Sequence, residues 1–364
     1  MAPVRRIPHP PAGVGGVGGI GRTGAHRQPH RPQTSARRRA VNHKEWRFKA
    51  LTDIWTGDAD RRADRLIPTG LLGSIRWWFE VLVRGLGGKA CDPSEKDVRC
   101  PDKQGHHCVV CELFGCTGWA RKFRMMVLDN QGGVIQKQIK ANTEFTIRFI
   151  PLRPIRDEEW CLLDCTLRLI ADYGAIGGKT VFKPSDEQNW QNFLHHKDFG
   201  LIQHLSGPGG CSCKGTLDEL RAYVAESRWR RDLSDAPFSW ASLQNFWCVK
   251  GRYLARQDAN TSTFNRVIGR PEPKSRSQGG DSWLAGRRAQ QNQPAESKKV
   301  FSFKHRQEGR CTFGFVKPDT VSFDEIRRRL TRAWSTPAFQ FKTAEDILQE
   351  LCSSQGSNRE GGLT

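Results

Sequence analysis

Ile67-Pro-Thr-Gly-Leu-Leu-Gly-Ser-Ile-Arg-Trp-Trp-Phe-Glu-Val-Leu-Val-Arg84 is the stretch on which the fold turns. Leu71, Leu72, Ile75, Phe79 and Leu82 recur at helical spacing, so a helix gathers them on one face. Thr69 stands where a hydroxyl can cap the helix start, and Gly85, Gly87 and Gly88 end it. Upstream, Trp46 to Ile54 alternates bulky and polar residues as a half-buried strand does, and a polar loop, Thr56 to Asp64, joins it to the helix. Downstream, beyond a cysteine-rich insertion, 122–128 and 143–150 read as two more strands and 160–173 as a second helix. Strand, helix, strand, strand, helix is most of a ferredoxin-like βαββαβ unit, an α+β fold. The RRM shares this plan, and its sheet face commonly binds single-stranded RNA.

Further out the pattern weakens. Residues 184–234 are polar and read as mostly helical, and the Pro/Gly/Ser/Arg/Gln-rich stretch 269–293 reads as a flexible loop. Strand-like 300–304 and 311–316 precede a helix at 323–334, which gives a second, degenerate unit of the same kind. The expected organisation is a disordered basic tail over 1–42, a first unit over 43–183 with an insertion at 88–116, and a helical insertion plus the second unit over 184–364. The tail carries eight arginines and no acid, so it has little to bury. Its glycines from Gly13 to Gly24 mimic a dinucleotide-binding loop, but no strand precedes them. A flexible tail or an upstream extension from a misplaced start explains them better.

Lys and Arg number 58 against 38 Asp and Glu, a net charge of +20. A field of that sign draws polyanions, and neutralising phosphates supplies the sequence-independent part of nucleic-acid binding. A membrane partner is the weaker reading, because no segment approaches the roughly 20 apolar residues of a spanning helix. Nothing points to a small-molecule substrate. The first forty residues also lack the apolar core of a secretory signal. The expected setting is therefore reducing and cytoplasmic, where clustered cysteines hold metal more often than they form disulfides.

Of twelve cysteines, Cys91, Cys100, Cys108 and Cys111 fall close together. Four thiolates make a closed tetrahedral Zn²⁺ site, and the two-residue gap of Cys108-Val-Val-Cys111 lets one turn present both sulfurs to the ion. Lys89, Lys96, Arg99 and Lys103 favour the thiolate form. His106 or His107 is a possible substitute ligand, Cys116 is a spare, and incidental buried thiols are the alternative. A site closed by four protein ligands has no position for an activated water, so such a zinc is structural.

Cys111-Glu-Leu-Phe-Gly-Cys-Thr-Gly-Trp-Ala-Arg-Lys-Phe-Arg124 follows. Gly115, Gly118 and Ala120 let backbone come close to something, and Arg121, Lys122 and Arg124 bring charge beside Trp119. Phosphate contacts and a stacking ring suit a single strand, although Trp119 serves equally well as core. Asp53, Asp58, Asp60 and Asp64 crowd the earlier loop, and clustered carboxylates can hold Mg²⁺ for phosphodiester cleavage. Arg61, Arg62 and Arg65 among them point instead to ion pairs.

Three pieces resemble a known family: Leu51-Thr-Asp-Ile-Trp-Thr-Gly-Asp-Ala-Asp60, Ser74-Ile-Arg-Trp-Trp-Phe79 and Cys111-Glu-Leu-Phe-Gly-Cys-Thr-Gly-Trp-Ala-Arg-Lys-Phe123. In order and separation they are similar to the first-numbered RAMP subunit of the CRISPR type III-B (Cmr) effector. Beyond residue 124 the likeness thins. Asp172-Tyr-Gly-Ala-Ile-Gly-Gly-Lys-Thr180 stands where RAMP proteins carry a glycine-rich loop, but the arginines that often follow are replaced by Thr180, Val181, Phe182 and Lys183. Gly174, Gly177 and Gly178 can offer backbone N–H groups to a phosphate, or simply end a helix.

The resemblance implies a non-catalytic, antiviral RNA-binding subunit near the 3′ end of the CRISPR RNA, helping to hold the target RNA. Its partners would be both RNAs and the other Cmr RAMP subunits. The target-cutting aspartate of that family belongs to a different subunit. Matched residues nominate Thr56, Gly57, Arg76, Trp119, Arg121, Lys122, Arg124, Gly177, Gly178 and Lys179 for RNA contact. The competing readings are a metal-dependent endoribonuclease using the Asp58 and Asp60 loop and a zinc-stabilised protein-interaction scaffold.

Overall fold

Strand β1 (Lys44–Ala50) buries Trp46, Phe48 and Ala50 on one face and leaves Glu45, Arg47 and Lys49 on the other, the alternation expected of a half-buried strand. The computed structural model describes residues 43–57, 62–92, 97–178, 184–190, 194, 196–208, 216–230, 232–233, 238–270, 283–287, 295–305 and 310–353. The expected basic tail, Lys179, Asp58, Asp60 and most of the 269–293 loop lie outside these residues.

Helix α1 (Pro68–Gly85) begins with Pro68 in its first turn, where a missing N–H costs nothing. Its cap residue is Ile67, without a side-chain cap, so Thr69 is inside the helix and does not cap it. Short α2 (Val109–Phe114) precedes β2 (Phe123–Leu128), β3 (Glu144–Pro151), α3 (Asp157–Tyr173) and β4 (Ile202–Ser206). The sheet order is β2-β3-β1-β4 with every neighbour antiparallel. That is the complete ferredoxin-like βαββαβ arrangement. Its last strand lies beyond residue 183, in the stretch read from the sequence as mostly helical.

After α4 (Leu217–Val224) the plan repeats through β5 (Phe246–Lys250), α5 (Thr263–Ile268), β6 (Val300–Phe303), β7 (Cys311–Phe315), α6 (Phe323–Trp334) and β8 (Phe341–Lys342), followed by α7 (Ala344–Ser353). The second sheet, β6-β7-β5-β8, has the strand order of the first. Two tandem units are therefore present, as the sequence led us to expect.

The units stack through α1. One side of the helix joins the core under the first sheet, where Phe79 meets Phe114 with centroids 5.1 Å apart. On the other, Trp77 contacts Phe315 at 5.7 Å, and Trp78 contacts Phe246 at 5.8 Å and Phe313 at 5.9 Å. The opposite face of the second sheet presents Trp247 and Val249 to Phe264, Val267, Ile326 and Leu330 of α5 and α6. The layers run sheet, helices, sheet, helices, so the second sheet is covered on both faces and the first on one.

The free face of the first sheet is not an RRM-type platform. Its residues on the three longer strands are Glu45, Arg47 and Lys49, then Arg124, Met126 and Leu128, then Glu144, Thr146, Arg148 and Ile150, with no aromatic ring to stack a base. Arg47 pairs with Glu144 at 3.1 Å across the strands and Arg148 pairs with Glu45.

Candidate metal centre and nucleic-acid interface

Cys108 is the N-cap residue of α2 and Cys111 lies in its first turn, while Cys91 and Cys100 come from the segment between α1 and α2. All four are buried, and their Sγ atoms lie within 4.8 Å of one another. The Cys91 and Cys111 sulfurs are 3.5 Å apart. Sulfurs sharing a zinc at about 2.3 Å stand about 3.8 Å apart in a tetrahedron, so these residues fit the ion. Neither histidine substitutes for a cysteine: His106 faces Asp102 at 3.1 Å, and His107 bonds Glu112 at 2.7 Å and stacks on Trp119. Cys116 stands outside the group, and burial pushes its thiol up to about 11. Elsewhere Cys161 is disulfide-bonded.

A Zn²⁺ with four thiolates carries two net negative charges, and arginines gather around this cluster. Arg76 Nη2 donates to Cys111 Sγ at 3.3 Å and approaches Cys91 Sγ at 3.8 Å, while Nη1 donates to the Gly115 carbonyl at 3.0 Å. Burial opposes its charge, but Cys111, Glu80 and Cys91 outweigh burial and raise its pKa. Arg230 donates to the carbonyls of Val98 at 3.2 Å and Arg99 at 2.8 Å, and buried Arg84 to those of Ala90 and Ala241. These bonds hold the cysteine loop from three sides.

This geometry reassigns several residues nominated for RNA contact. Arg76 spends its guanidinium on the cysteine cluster and Glu80. Lys122 is 5% exposed and sits between Glu159 at 2.7 Å and Glu112 at 2.5 Å, with Tyr223 donating to Glu159 at 2.8 Å. Thr56 is 2% exposed; its Oγ1 accepts from Ile67 N at 2.8 Å and closes the loop before α1. Trp119 lies between the His107 ring at 4.6 Å and the Arg153 guanidinium at 4.0 Å, so its ring is already partnered. Each of the four does structural work. Gly115, at φ +84°, approaches its own chain, since a Cβ there would meet Arg121 N at 2.8 Å.

The glycine loop after α3 packs on the loop after β1. Gly178 N donates to the Trp55 carbonyl at 2.8 Å, Gly177 N to Ser74 Oγ at 3.0 Å and Gly174 N to the Ile170 carbonyl at 3.1 Å. These N–H groups are used internally and do not form an anion nest. At Gly177, φ is +110° and a Cβ would meet the Trp55 carbonyl at 2.6 Å, so the close approach requires glycine. Gly57, Gly178, Arg121 and Arg124 are exposed. Of the clustered acids, Asp53 accepts from Ala141 N at 2.9 Å and Lys140 at 3.2 Å, and Asp64 is exposed. No helix among the described residues is long and apolar enough to cross a membrane.

Residues 47–182, from β1 to the glycine-rich loop, match the model of the RAMP superfamily. Among solved structures, the chain is similar to Cmr1 from Pyrococcus furiosus in its apo form, at 12% identity over 86% of this chain and 96% of that one, with a TM-score of 0.38. It is also similar to a chain of the type III-B Cmr-beta complex bound to cognate target RNA, at 11% identity over 80% of this chain and 99% of that one, with a TM-score of 0.44. A chain of the Csm3-Csm4 subcomplex of a type III-A CRISPR-Cas interference complex matches at 14% identity over 50% of this chain and 93% of that one, with a TM-score of 0.24. No curated protein matches the chain.

Proposed function

We propose that this chain, whose residues 47–182 match the RAMP superfamily, is an RNA-binding, non-catalytic subunit of a type III-B CRISPR ribonucleoprotein effector. It sits near the 3′ end of the CRISPR RNA and helps hold the target RNA, in a cytoplasmic complex with the other Cmr RAMP subunits. The family match carries the reading. The tandem ferredoxin-like units, the three family-like sequence motifs and the net charge of +20 support it.

Cys91, Cys100, Cys108 and Cys111 hold a structural Zn²⁺. With four protein ligands the ion cross-links the loop after α1 to α2 and offers no position for an attacking water. RNA contact falls to the exposed members of the nominated set, Arg121 and Arg124, with Gly57 and Gly178 at the loop junction.

Incubating the full chain with labelled single-stranded RNA and Mg²⁺ tests this. Retention that weakens with salt, without cleavage products, is expected. Metal-dependent products lost in Asp58→Ala and Asp60→Ala would instead establish the endoribonuclease. A protein scaffold without RNA contact would show assembly defects, and no loss of RNA crosslinking, on reversing the basic residues.

A further inference from the structure

The second unit carries a basic trench that the reading above does not use. Strand β5 runs into Gly251-Arg-Tyr-Leu-Ala-Arg256, which by topology corresponds to the loop after β1 in the first unit. On one side lies a cavity of about 310 Å³ lined by Lys250, Arg310, His204 and Asp172, and on the other a cavity of about 380 Å³ lined by Arg252, Tyr253, Trp334 and Asp186. Arg310 borders both, so they adjoin.

Of the two acids lining these cavities, Asp172 is exposed and Asp186 is already committed. Asp186 pairs with Lys304 at 2.7 Å and accepts from the Tyr253 hydroxyl at 3.1 Å. Among the described residues no carboxylate forms an ion pair with Lys250, Arg252 or Arg310. Lys250 and Arg310 are exposed, and each lies against a ring: Lys250 Nζ is 4.2 Å from the Tyr173 centroid and Arg310 is 5.6 Å from that of Tyr253. Arg252 donates to the Ala338 carbonyl at 3.3 Å, which leaves Lys250 and Arg310 to supply the charge that a single strand's phosphates need of a binder. The cavity nearer the first unit also borders Leu51 and Gly174, at the loop junction of the RAMP-matched segment.

We propose that this trench is a second binding segment for single-stranded RNA, with the exposed cations Lys250 and Arg310 on its phosphates. The proposal rests on the RNA-binding function above and extends it to the other half of the molecule.

The test is fluorescence anisotropy of the full chain with a labelled oligouridylate across a salt series. Three proteins are compared: wild type, Lys250→Glu/Arg310→Glu and Arg121→Glu/Arg124→Glu. For the trench variant we expect binding weaker by roughly tenfold or more, and a log–log salt slope shallower by about 1.4 for two lost single-strand phosphate contacts. If its melting temperature falls, Lys250→Gln/Arg310→Gln takes its place. Wild-type affinity and slope in the folded trench variant, with weakened binding in the Arg121/Arg124 variant, would overturn the trench and leave the RNA-binding function standing. No binding by the wild-type chain would overturn that function first, and the trench with it.

Discussion

The two units share one strand order but live in different surroundings, and the contrast explains most of what the sequence did and did not reveal. The first sheet has one wet face, so β1 alternates buried and exposed residues. The second sheet lies between α1 and the α5/α6 layer, and every residue of β7 is buried. Identical topology thus gives two sequence signatures, alternation in one case and a continuous apolar run in the other.

The largest effect that would sharpen this contrast is at the candidate metal centre, which among the described residues lies in the first unit alone. Cys108→Ser/Cys111→Ser should reduce zinc, measured by elemental analysis, from one ion per chain to near zero and unfold the insertion, because binding energy at a structural site is folding energy. Full stability with no metal in the wild type would remove the site from the account. Next comes the seam between the units, where Trp78→Ala empties a 3% exposed position and should cost about 3–5 kcal/mol in denaturant unfolding. Arg148→Ala on the wet face should cost only about 0–1 kcal/mol. Equal costs would mean that the stacking through α1 is wrong.

Lys122→Ala comes next, stranding Glu112 and Glu159 without their ammonium partner and costing about 3 kcal/mol or more. A stable Lys122→Ala that binds RNA poorly would return Lys122 to the interface. The smallest effect is a pH dependence at the junction. Asp198 accepts from Lys304 N at 2.9 Å, and its burial raises the carboxyl to about 7. A raised folded-state pKa means stability held below about pH 4 and lost as pH climbs through 7. Asp198→Asn should flatten that loss between pH 5 and 8 in thermal melts, and an unchanged slope would count against it.

In the first unit, β1, α1, β2, β3 and α3 were legible because their bulky residues recur at strand or helix spacing, even though α1 is buried on both sides. Strand β4 was not, being short and set in a polar stretch. Phe246-Trp-Cys-Val at β5 escaped because both of its faces are buried and its run of bulky residues has no period to read. The cysteine set was legible from spacing. Burial of Arg76, Lys122 and Thr56 was not, since a charged or hydroxyl side chain looks the same in sequence whether it meets a phosphate or a buried carboxylate. Their partners, Glu159 and Tyr223 among them, come from distant segments that only the fold brings together.

The central claim is that this chain grips RNA as one member of a larger assembly. Its most direct test is purification of the tagged full-length chain from its native cells, with sequencing of the bound nucleic acid and mass spectrometry of the bound proteins. The account predicts guide-length CRISPR RNA together with further RAMP subunits. A chain recovered alone, with neither RNA nor protein partners, would contradict it.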